Sequence, residues 1–183
     1  ICLYCSFSSF PLNVWAGRVE DYLEALFKEI RYVGRMIDKK KLTTVYMGGG
    51  TPTSLNADQM DRLLTMIENH FDLTPIHEFT IEAGRPDSFD PAKLQVMKAH
   101  GIERISINPQ TLNQKTLDLI GRRHSVEDVE RAFEMAKQVG FSNINMDLIL
   151  GLPGETTEDV ARTLEGIGKM GPESMTVHSL AVK

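Results

Sequence analysis

Residues 42–52, Leu-Thr-Thr-Val-Tyr-Met-Gly-Gly-Gly-Thr-Pro, join a run of β-branched and aromatic residues to three consecutive glycines. The run predicts a buried strand, and Gly48, Gly49 and Gly50 predict a tight loop directly after it. Glycines let backbone amide and carbonyl groups approach a ligand with no side chain in the way. The stretch therefore predicts a strand that leads into a ligand-binding loop, although a plain flexible turn would show the same glycine cluster.

Helices and strands alternate on both sides of this stretch. Apolar residues at three- and four-residue spacing indicate helices, and short runs rich in β-branched residues indicate strands. Asn56 or Asp58 could cap one helix, and Ser125 with Asp128 is a capping-box variant that would open another. The predicted helices span 18–36, 56–71, 90–100, 111–119, 126–139 and 158–169, and the predicted strands span 42–47, 77–82, 104–107, 144–149 and 174–181.

This alternation predicts an α/β protein built from parallel β/α units with right-handed crossovers. The near-continuous apolar character of the strands predicts a sheet covered on both faces. Secondary structure alone leaves two architectures open, a barrel and a doubly wound open sheet. A chain of 183 residues without an internal linker is expected to form one core.

Composition and charge exclude several functional classes. A net charge of -5 argues against broad binding of a nucleic-acid backbone, which requires a concentrated basic surface. No apolar run reaches the ~18 residues that span a bilayer, and the first residues lack a signal-peptide pattern. We therefore expect a cytoplasmic protein with no membrane span and no nucleic-acid partner.

Cys2 and Cys5 are the only cysteines, and their C-x-x-C spacing is typical of half a metal site. A zinc site needs two more ligands, yet the five histidines show no paired ligand spacing. A thioredoxin-like motif would follow a strand and open a helix in a smaller fold. The remaining interpretation is a cluster whose third thiolate lies upstream.

Polar residues recur where the predicted strands end, which is where ligand sites form in β/α folds. Glu82, Gln110, Asp147 and His178 each lie at or near such an end. Carboxylates among apolar strand residues can be structural acids or acceptors for ribose hydroxyls or an ammonium group. No P-loop occurs, and no G-x-G-x-x-G directly follows a predicted strand, so the sequence gives little support for binding of a nucleoside triphosphate or a dinucleotide.

Five motifs in order resemble those of the radical S-adenosylmethionine superfamily. Within it, the chain resembles the oxygen-independent coproporphyrinogen III oxidase group, and most closely its HemZ-like coproporphyrinogen dehydrogenase branch. The motifs cover essentially the whole chain: Cys-Leu-Tyr-Cys-Ser-Phe, Gly-Gly-Gly-Thr-Pro-Thr, Thr-Ile-Glu-Ala, Arg-Ile-Ser-Ile-Asn-Pro-Gln and Asp-Leu-Ile-Leu-Gly-Leu-Pro-Gly.

The resemblance implies two cofactors, a [4Fe-4S] cluster and S-adenosylmethionine. Cys2 and Cys5 match the second and third cysteines of the family's C-x-x-x-C-x-x-C signature, and the first would stand four residues before Cys2. Two thiolates should hold a cluster poorly, so this chain alone is expected to carry little iron and to be inactive. The positions that match cofactor-binding positions of the family are Tyr4, Gly48, Gly49, Gly50, Thr51, Glu82, Gln110, Arg122, Asp147 and Ile149.

Individual roles follow from the same resemblance. Tyr4 and Ile149 would lie near the adenine, and the triple glycine with Thr51 would meet the methionine amino group. Arg122 suits the methionine carboxylate, and Asp147 suits the ribose diol. From the sequence itself, Arg122 could equally be a solvated charge at a helix end.

The implied fold is an incomplete parallel (β/α) barrel of the radical S-adenosylmethionine type. The family core has six strands, so the first strand is expected before the cysteine loop, with strand 42–47 at an open edge. Residues 1–183 would then form one partial-barrel domain that continues beyond both ends.

The implied activity is reductive cleavage of S-adenosylmethionine and oxidative decarboxylation of coproporphyrinogen III propionates to vinyl groups, with flavodoxin or ferredoxin as electron donor. Arg18, Arg85 and Lys183 are candidate contacts for such a tetracarboxylate. Phe7 stands where the bacterial oxidase carries a further cysteine. Chaperone-like haem-binding members of the group share an aromatic residue at that place. A haem carrier or a haem-modifying methyltransferase is therefore the alternative.

Overall fold

A computed structural model describes residues 2–5, 16–37, 41–88 and 90–181 of the chain. Five strands form a single sheet: β1 Thr44–Met47, β2 Glu78–Glu82, β3 Arg104–Gln110, β4 Asn143–Leu150 and β5 Ser174–Ser179. Six α-helices lie in the described residues: α1 Val19–Met36, α2 Ala57–His70, α3 Pro91–Ala99, α4 Gln114–Leu119, α5 Val126–Val139 and α6 Thr157–Met170. Each helix and strand predicted from the sequence is present, with small shifts at its ends.

The strands are all parallel, and their order in the sheet, β1-β2-β3-β4-β5, is their order in the chain. A doubly wound sheet would reverse the strand order at a switch point. The order observed is therefore that of a barrel wound in one direction. Within the described residues β1 pairs in the sheet only with β2, so the predicted open edge beside this strand is present.

The helices cover one face of the sheet, which corrects the prediction that both faces are covered. Alternate strand residues such as Phe79, Ile105 and Met146 are buried in a core against α1, α2, α3, α5 and α6. The intervening residues point to the opposite, inner face. Those residues are mostly polar, and Tyr46 of β1 is 65% exposed. Because the strands alternate apolar and polar residues, they need apolar cover on one face only.

Capping boxes fix the starts of three of the described helices. Asn56, Ser125 and Thr156 each accept a hydrogen bond from the backbone of the third helical residue, whose side chain bonds back to the cap. Asn56, rather than Asp58, therefore caps α2, and the predicted capping box of α5 is confirmed. None of the described helices is both long enough and apolar enough to cross a bilayer.

Strand β3 is longer than predicted and ends irregularly. It runs through Pro109 to Gln110, and its pairing with β4 shifts register between Ile107 and Gln110. Gln110 has φ of 71°, the only positive φ of a non-glycine residue in the described part of the chain. Such a bulge redirects a side chain at the end of a strand.

His100, at the end of α3, joins that helix to α2. Its Nδ1 lies 2.7 Å from Glu68 Oε1 and its Nε2 lies 3.0 Å from Asp61 Oδ1. Burial alone would lower the pKa of His100, but the hydrogen bonds to Asp61 and Glu68 outweigh it and raise the pKa above 6.5. Protonated His100 therefore stabilises the folded state.

Because the folded pKa is raised, this contribution is fully present below pH 6.5 and is lost as pH rises through the folded value. We expect the free energy of unfolding of the wild type to fall towards that of His100→Gln as the pH rises from 6.5 through the raised pKa of His100. Urea unfolding of both proteins across that range measures the difference. A difference that stays constant with pH would contradict the ion-pair account.

Candidate cofactor site

The carboxyl ends of all five strands lie at one edge of the sheet, because the strands are parallel. This edge carries the glycine loop after β1, Glu82 at the end of β2 and Gln110 at the end of β3. Asp147 and Ile149 lie in the second half of β4, and His178 pairs with Ile149 from β5. The structure therefore gathers the strand-end residues predicted from the sequence along one side of the sheet.

The glycine loop is attached to Glu82. The amide of Gly49 donates a hydrogen bond of 3.1 Å to Glu82 Oε2, and Gly49 has φ of 109°, a conformation that favours glycine. A β-carbon on Gly48 would collide with the ring of Tyr46 and lie 2.9 Å from Glu82 Oε2. Gly49 is thus favoured by its backbone conformation, and a side chain at Gly48 would displace Tyr46 or Glu82. The alternative of a plain flexible turn does not explain these contacts.

A hydrogen-bond network runs from Glu82 across the inner face to β4. Asn108 Nδ2 donates to Glu82 Oε1 at 3.0 Å, and Ser106 Oγ donates to Asn108 Oδ1 at 2.9 Å. Asn145 Nδ2 donates to Asp147 Oδ1 at 2.6 Å and to Ser106 Oγ at 3.2 Å. Both carboxylates are thereby oriented by buried side-chain amides and a hydroxyl, and the second Asp147 oxygen lies 3.9 Å from His178 Nε2.

Gln110 has a buried side-chain oxygen with no hydrogen-bond partner among the described residues. The residue is only 6% exposed and holds a strained backbone conformation. An unsatisfied buried acceptor costs roughly 1–3 kcal/mol. A polar ligand that donates to this oxygen would remove that cost, so Gln110 fits a binding role.

Arg122 connects the cysteine loop, residues 2–5, to the sheet. Its Nη2 donates to the Tyr4 hydroxyl at 2.8 Å, and its Nη1 donates to the Gly84 carbonyl at 2.7 Å. Arg122 is 6% exposed, so it is not the solvated helix-end charge that the sequence left open. Burial raises the pKa of Tyr4 to about 12, against the opposing effect of the Arg122 charge. The phenol is therefore neutral at physiological pH.

Two further contacts hold the cysteine loop in place. The Leu3 amide donates to the Ile120 carbonyl at 2.9 Å. Tyr4 packs against a small apolar cluster that contains Ile149, Leu117 and Ile120. The structure thus brings together Tyr4 and Ile149, the two residues expected near an adenine.

Cys2 and Cys5 lie on a tight turn, where the Cys5 amide donates to the Cys2 carbonyl at 3.3 Å. Both thiols are free. In the described part of the chain no group of three His, Cys, Asp or Glu residues could hold a metal ion. The third thiolate stays a prediction. Phe7 and Lys183 lie outside the described residues.

Sequence reasoning did not assign roles to several residues of this side of the sheet. Ser106 and Asn145 look like ordinary polar strand residues, and only their pairing across β3 and β4 shows that they join the two carboxylates. Tyr46 lies near both carboxylates: its pKa is raised by burial first and then by Glu82 and Asp147. A tyrosine in a short strand gives no sequence signal of this proximity.

His124 was also unassigned, two residues after Arg122. It is 1% exposed, and neither ring nitrogen has a hydrogen-bond partner among the described residues. Burial first, and then the charge of Arg122, lower the pKa of His124. The ring is therefore neutral and adds no charge beside the Arg122 guanidinium.

Comparisons with known proteins agree with this arrangement. Residues 1–167 match the Radical SAM superfamily profile. The chain is 44% identical over its full length to the oxygen-independent coproporphyrinogen-III oxidase-like protein HemZ of Bacillus subtilis, of which it covers 37%. It is 35% identical, again over its full length, to the heme chaperone HemW of the same organism, of which it covers 48%.

A solved structure is similar across almost the whole chain. The coproporphyrinogen III oxidase HemN of Escherichia coli superposes with a TM-score of 0.89 at 28% identity, covering 99% of this chain and 41% of that one. The chain thus spans less than half the length of each of these relatives. The chain belongs to the radical SAM superfamily, whose cofactors are S-adenosylmethionine and a [4Fe-4S] cluster.

Proposed function

We propose that the full-length protein is a radical S-adenosylmethionine oxidoreductase of tetrapyrrole metabolism that decarboxylates coproporphyrinogen III propionates to vinyl groups. The observation that carries the cofactor part is the network that joins the glycine loop, Glu82 and Asp147 across the sheet. The tetrapyrrole part is supported by the likeness to HemZ and HemN. An electron donor such as flavodoxin or ferredoxin, an electron acceptor for the oxidised substrate and a cytoplasmic location are also part of the proposal.

In this proposal, Cys2 and Cys5 hold the cluster with a third cysteine four residues upstream of Cys2. When bound, the reduced cluster supplies one electron that cleaves S-adenosylmethionine to methionine and a 5′-deoxyadenosyl radical. The Gly48–Gly50 backbone, Thr51 and Glu82 bind the methionine amino group. Arg122 contacts the methionine carboxylate through the second N–H of Nη1 or Nη2, since each of these nitrogens uses only one N–H for Gly84 or Tyr4.

The remaining site residues hold the nucleoside. Asp147 has one oxygen fixed by Asn145, so the other is oriented for ribose hydroxyls. Gln110 accepts a hydrogen bond from the same ligand, which satisfies its buried side-chain oxygen. Tyr4 and Ile149 supply apolar contact for the adenine and exclude water from it.

The proposed reaction is tested by anaerobic incubation of the reduced, cluster-loaded full-length protein with S-adenosylmethionine and coproporphyrinogen III. We expect release of carbon dioxide and formation of a vinyl-bearing product. Replacement of Cys2 by alanine should stop both. Tight haem binding without any decarboxylation would instead support the second candidate function.

That second candidate is a haem carrier. The specific observation in its favour is the 35% identity to a protein named heme chaperone HemW, together with Phe7 in place of a cysteine. A haem titration followed by transfer to an apo-acceptor protein measures this activity directly. Decarboxylation by the same preparation would show that the carrier function is not the main one.

A further inference from the structure

We propose that Arg85 raises the reduction potential of the cluster by donating a hydrogen bond to the Cys2 sulfur. The proposal rests on the cluster assignment made above. It differs from the sequence-based expectation that Arg85 binds a substrate carboxylate. The contact that supports it is direct: Arg85 Nη2 lies 3.4 Å from Cys2 Sγ, within hydrogen-bonding range for sulfur.

The backbone on both sides of Arg85 is fixed. Before it, the Ala83 amide donates to the Ser106 carbonyl at 2.8 Å, and the Gly84 carbonyl accepts the 2.7 Å bond from Arg122. After it, the Arg85 carbonyl accepts from the amide of Ser88 at 2.9 Å and from its hydroxyl at 2.6 Å. Arg85 therefore projects from a turn whose backbone is fixed by hydrogen bonds, and its half-buried side chain reaches the Cys2 sulfur.

The acceptor side of the contact is also held. The cysteine loop is tied to the same turn through Arg122, which bridges Tyr4 and Gly84. The backbone of the cysteine loop also forms a hydrogen bond, from the Leu3 amide to the Ile120 carbonyl. Loop and turn thus form one unit, and the distance from Arg85 to Cys2 is set by that unit. The residues that carry the contact are half-buried, so solvent screens it less than it screens a surface ion pair.

A fixed positive charge and an N–H donor beside a ligand sulfur stabilise the state of the cluster with more negative charge. Hydrogen bonds to the sulfurs and net local charge are main determinants of iron–sulfur potentials. Outer partners of metal ligands act in the same way on other centres. Arg85 should therefore make one-electron reduction of the cluster easier, with the electron supplied by an external reductant.

The test is a potentiometric titration of the cluster, followed by electron paramagnetic resonance, in the full-length wild type, Arg85→Gln, Arg85→Lys and Arg35→Gln. Arg35 is the matched control because it is exposed at the end of α1. Its neighbour Gly34 lies beside His70, the last residue of α2, and the chain runs from there to the amino end of β2. Arg35→Gln removes the same charge far from the cysteine loop.

We expect Arg85→Gln to lower the midpoint potential, so that at a fixed applied potential the ratio of reduced to oxidised cluster falls about tenfold, or about 59 mV for a one-electron couple. Arg85→Lys should lie between Arg85→Gln and wild type, and Arg35→Gln should match wild type. Equal potentials in wild type and Arg85→Gln would overturn the proposal. A shift in Arg35→Gln as large as that in Arg85→Gln would also overturn it.

A second measurement covers the case in which Arg85→Gln fails to load a cluster. In wild type grown with ¹⁵N-arginine, pulsed electron paramagnetic resonance of the reduced cluster should show a ¹⁵N coupling that Arg85→Lys lacks. A coupling unchanged in Arg85→Lys, or absent from wild type, would refute the contact. Failure of the wild type to hold any cluster would instead count against the proposed function.

Discussion

Arg122→Ala is expected to lower the free energy of unfolding by about 3 kcal/mol. The substitution leaves the Tyr4 hydroxyl and the buried Gly84 carbonyl without their donor, and it frees the cysteine loop from the turn after β2. Each unsatisfied buried group costs roughly 1–3 kcal/mol. Urea unfolding monitored by circular dichroism measures the loss.

The control for this prediction is Arg123→Ala, which removes an adjacent arginine that is exposed. It should change stability by no more than about 0.5 kcal/mol. Tyr4→Phe removes one acceptor of Arg122, so the effects of Tyr4→Phe and Arg122→Ala should be less than additive in the double variant. Strict additivity, or an equal loss in Arg123→Ala, would show that Arg122 is not the bridge.

Glu82→Gln is expected to weaken binding of S-adenosylmethionine by about 10- to 100-fold. The carboxylate accepts from the Gly49 amide on one oxygen and from Asn108 Nδ2 on the other. Glutamine offers only one acceptor oxygen and turns an NH₂ group towards a donor. The glycine loop or Asn108 must then move, and the negative charge facing the methionine ammonium is lost.

The same strand provides a matched control. Glu78 lies on the same face of β2, four residues earlier, and its side chain is 51% exposed. Isothermal titration of the cluster-loaded protein with S-adenosylmethionine should give a wild-type affinity for Glu78→Gln and a reduced one for Glu82→Gln. Equal affinities in the two variants would remove Glu82 from the binding site.

Local patterns predicted much of the fold because the signals are local. Capping residues such as Asn56 and Ser125 fix helix starts within one turn of chain, so their positions are readable from neighbours in sequence. The other strand ends were close to prediction for the same reason, since each strand stops at a glycine or a polar residue, whereas β3 continues to Gln110 beyond its predicted end at residue 107. The sequence therefore correctly predicted that Glu82, Gln110 and Asp147 lie along one side of the sheet.

What could not be predicted depends on pairing between distant strands. Ser106 and Asn145 join the carboxylates only because β3 and β4 pair in one particular register. Arg122 bridges Tyr4 and Gly84 over long separations in sequence, so its burial was left open. The exposure of Tyr46 follows from its place on the sheet face that the described helices leave uncovered, which no pattern within residues 42–47 reveals.

The most direct test of the central claim is reductive cleavage of S-adenosylmethionine. The full-length protein, reconstituted anaerobically and reduced with dithionite, is incubated with S-adenosylmethionine, and methionine and 5′-deoxyadenosine are quantified. We predict that both appear in equal amounts in wild type and that neither appears in Cys5→Ala. A wild-type preparation that holds a reducible cluster and binds S-adenosylmethionine, yet forms no 5′-deoxyadenosine, would contradict the account.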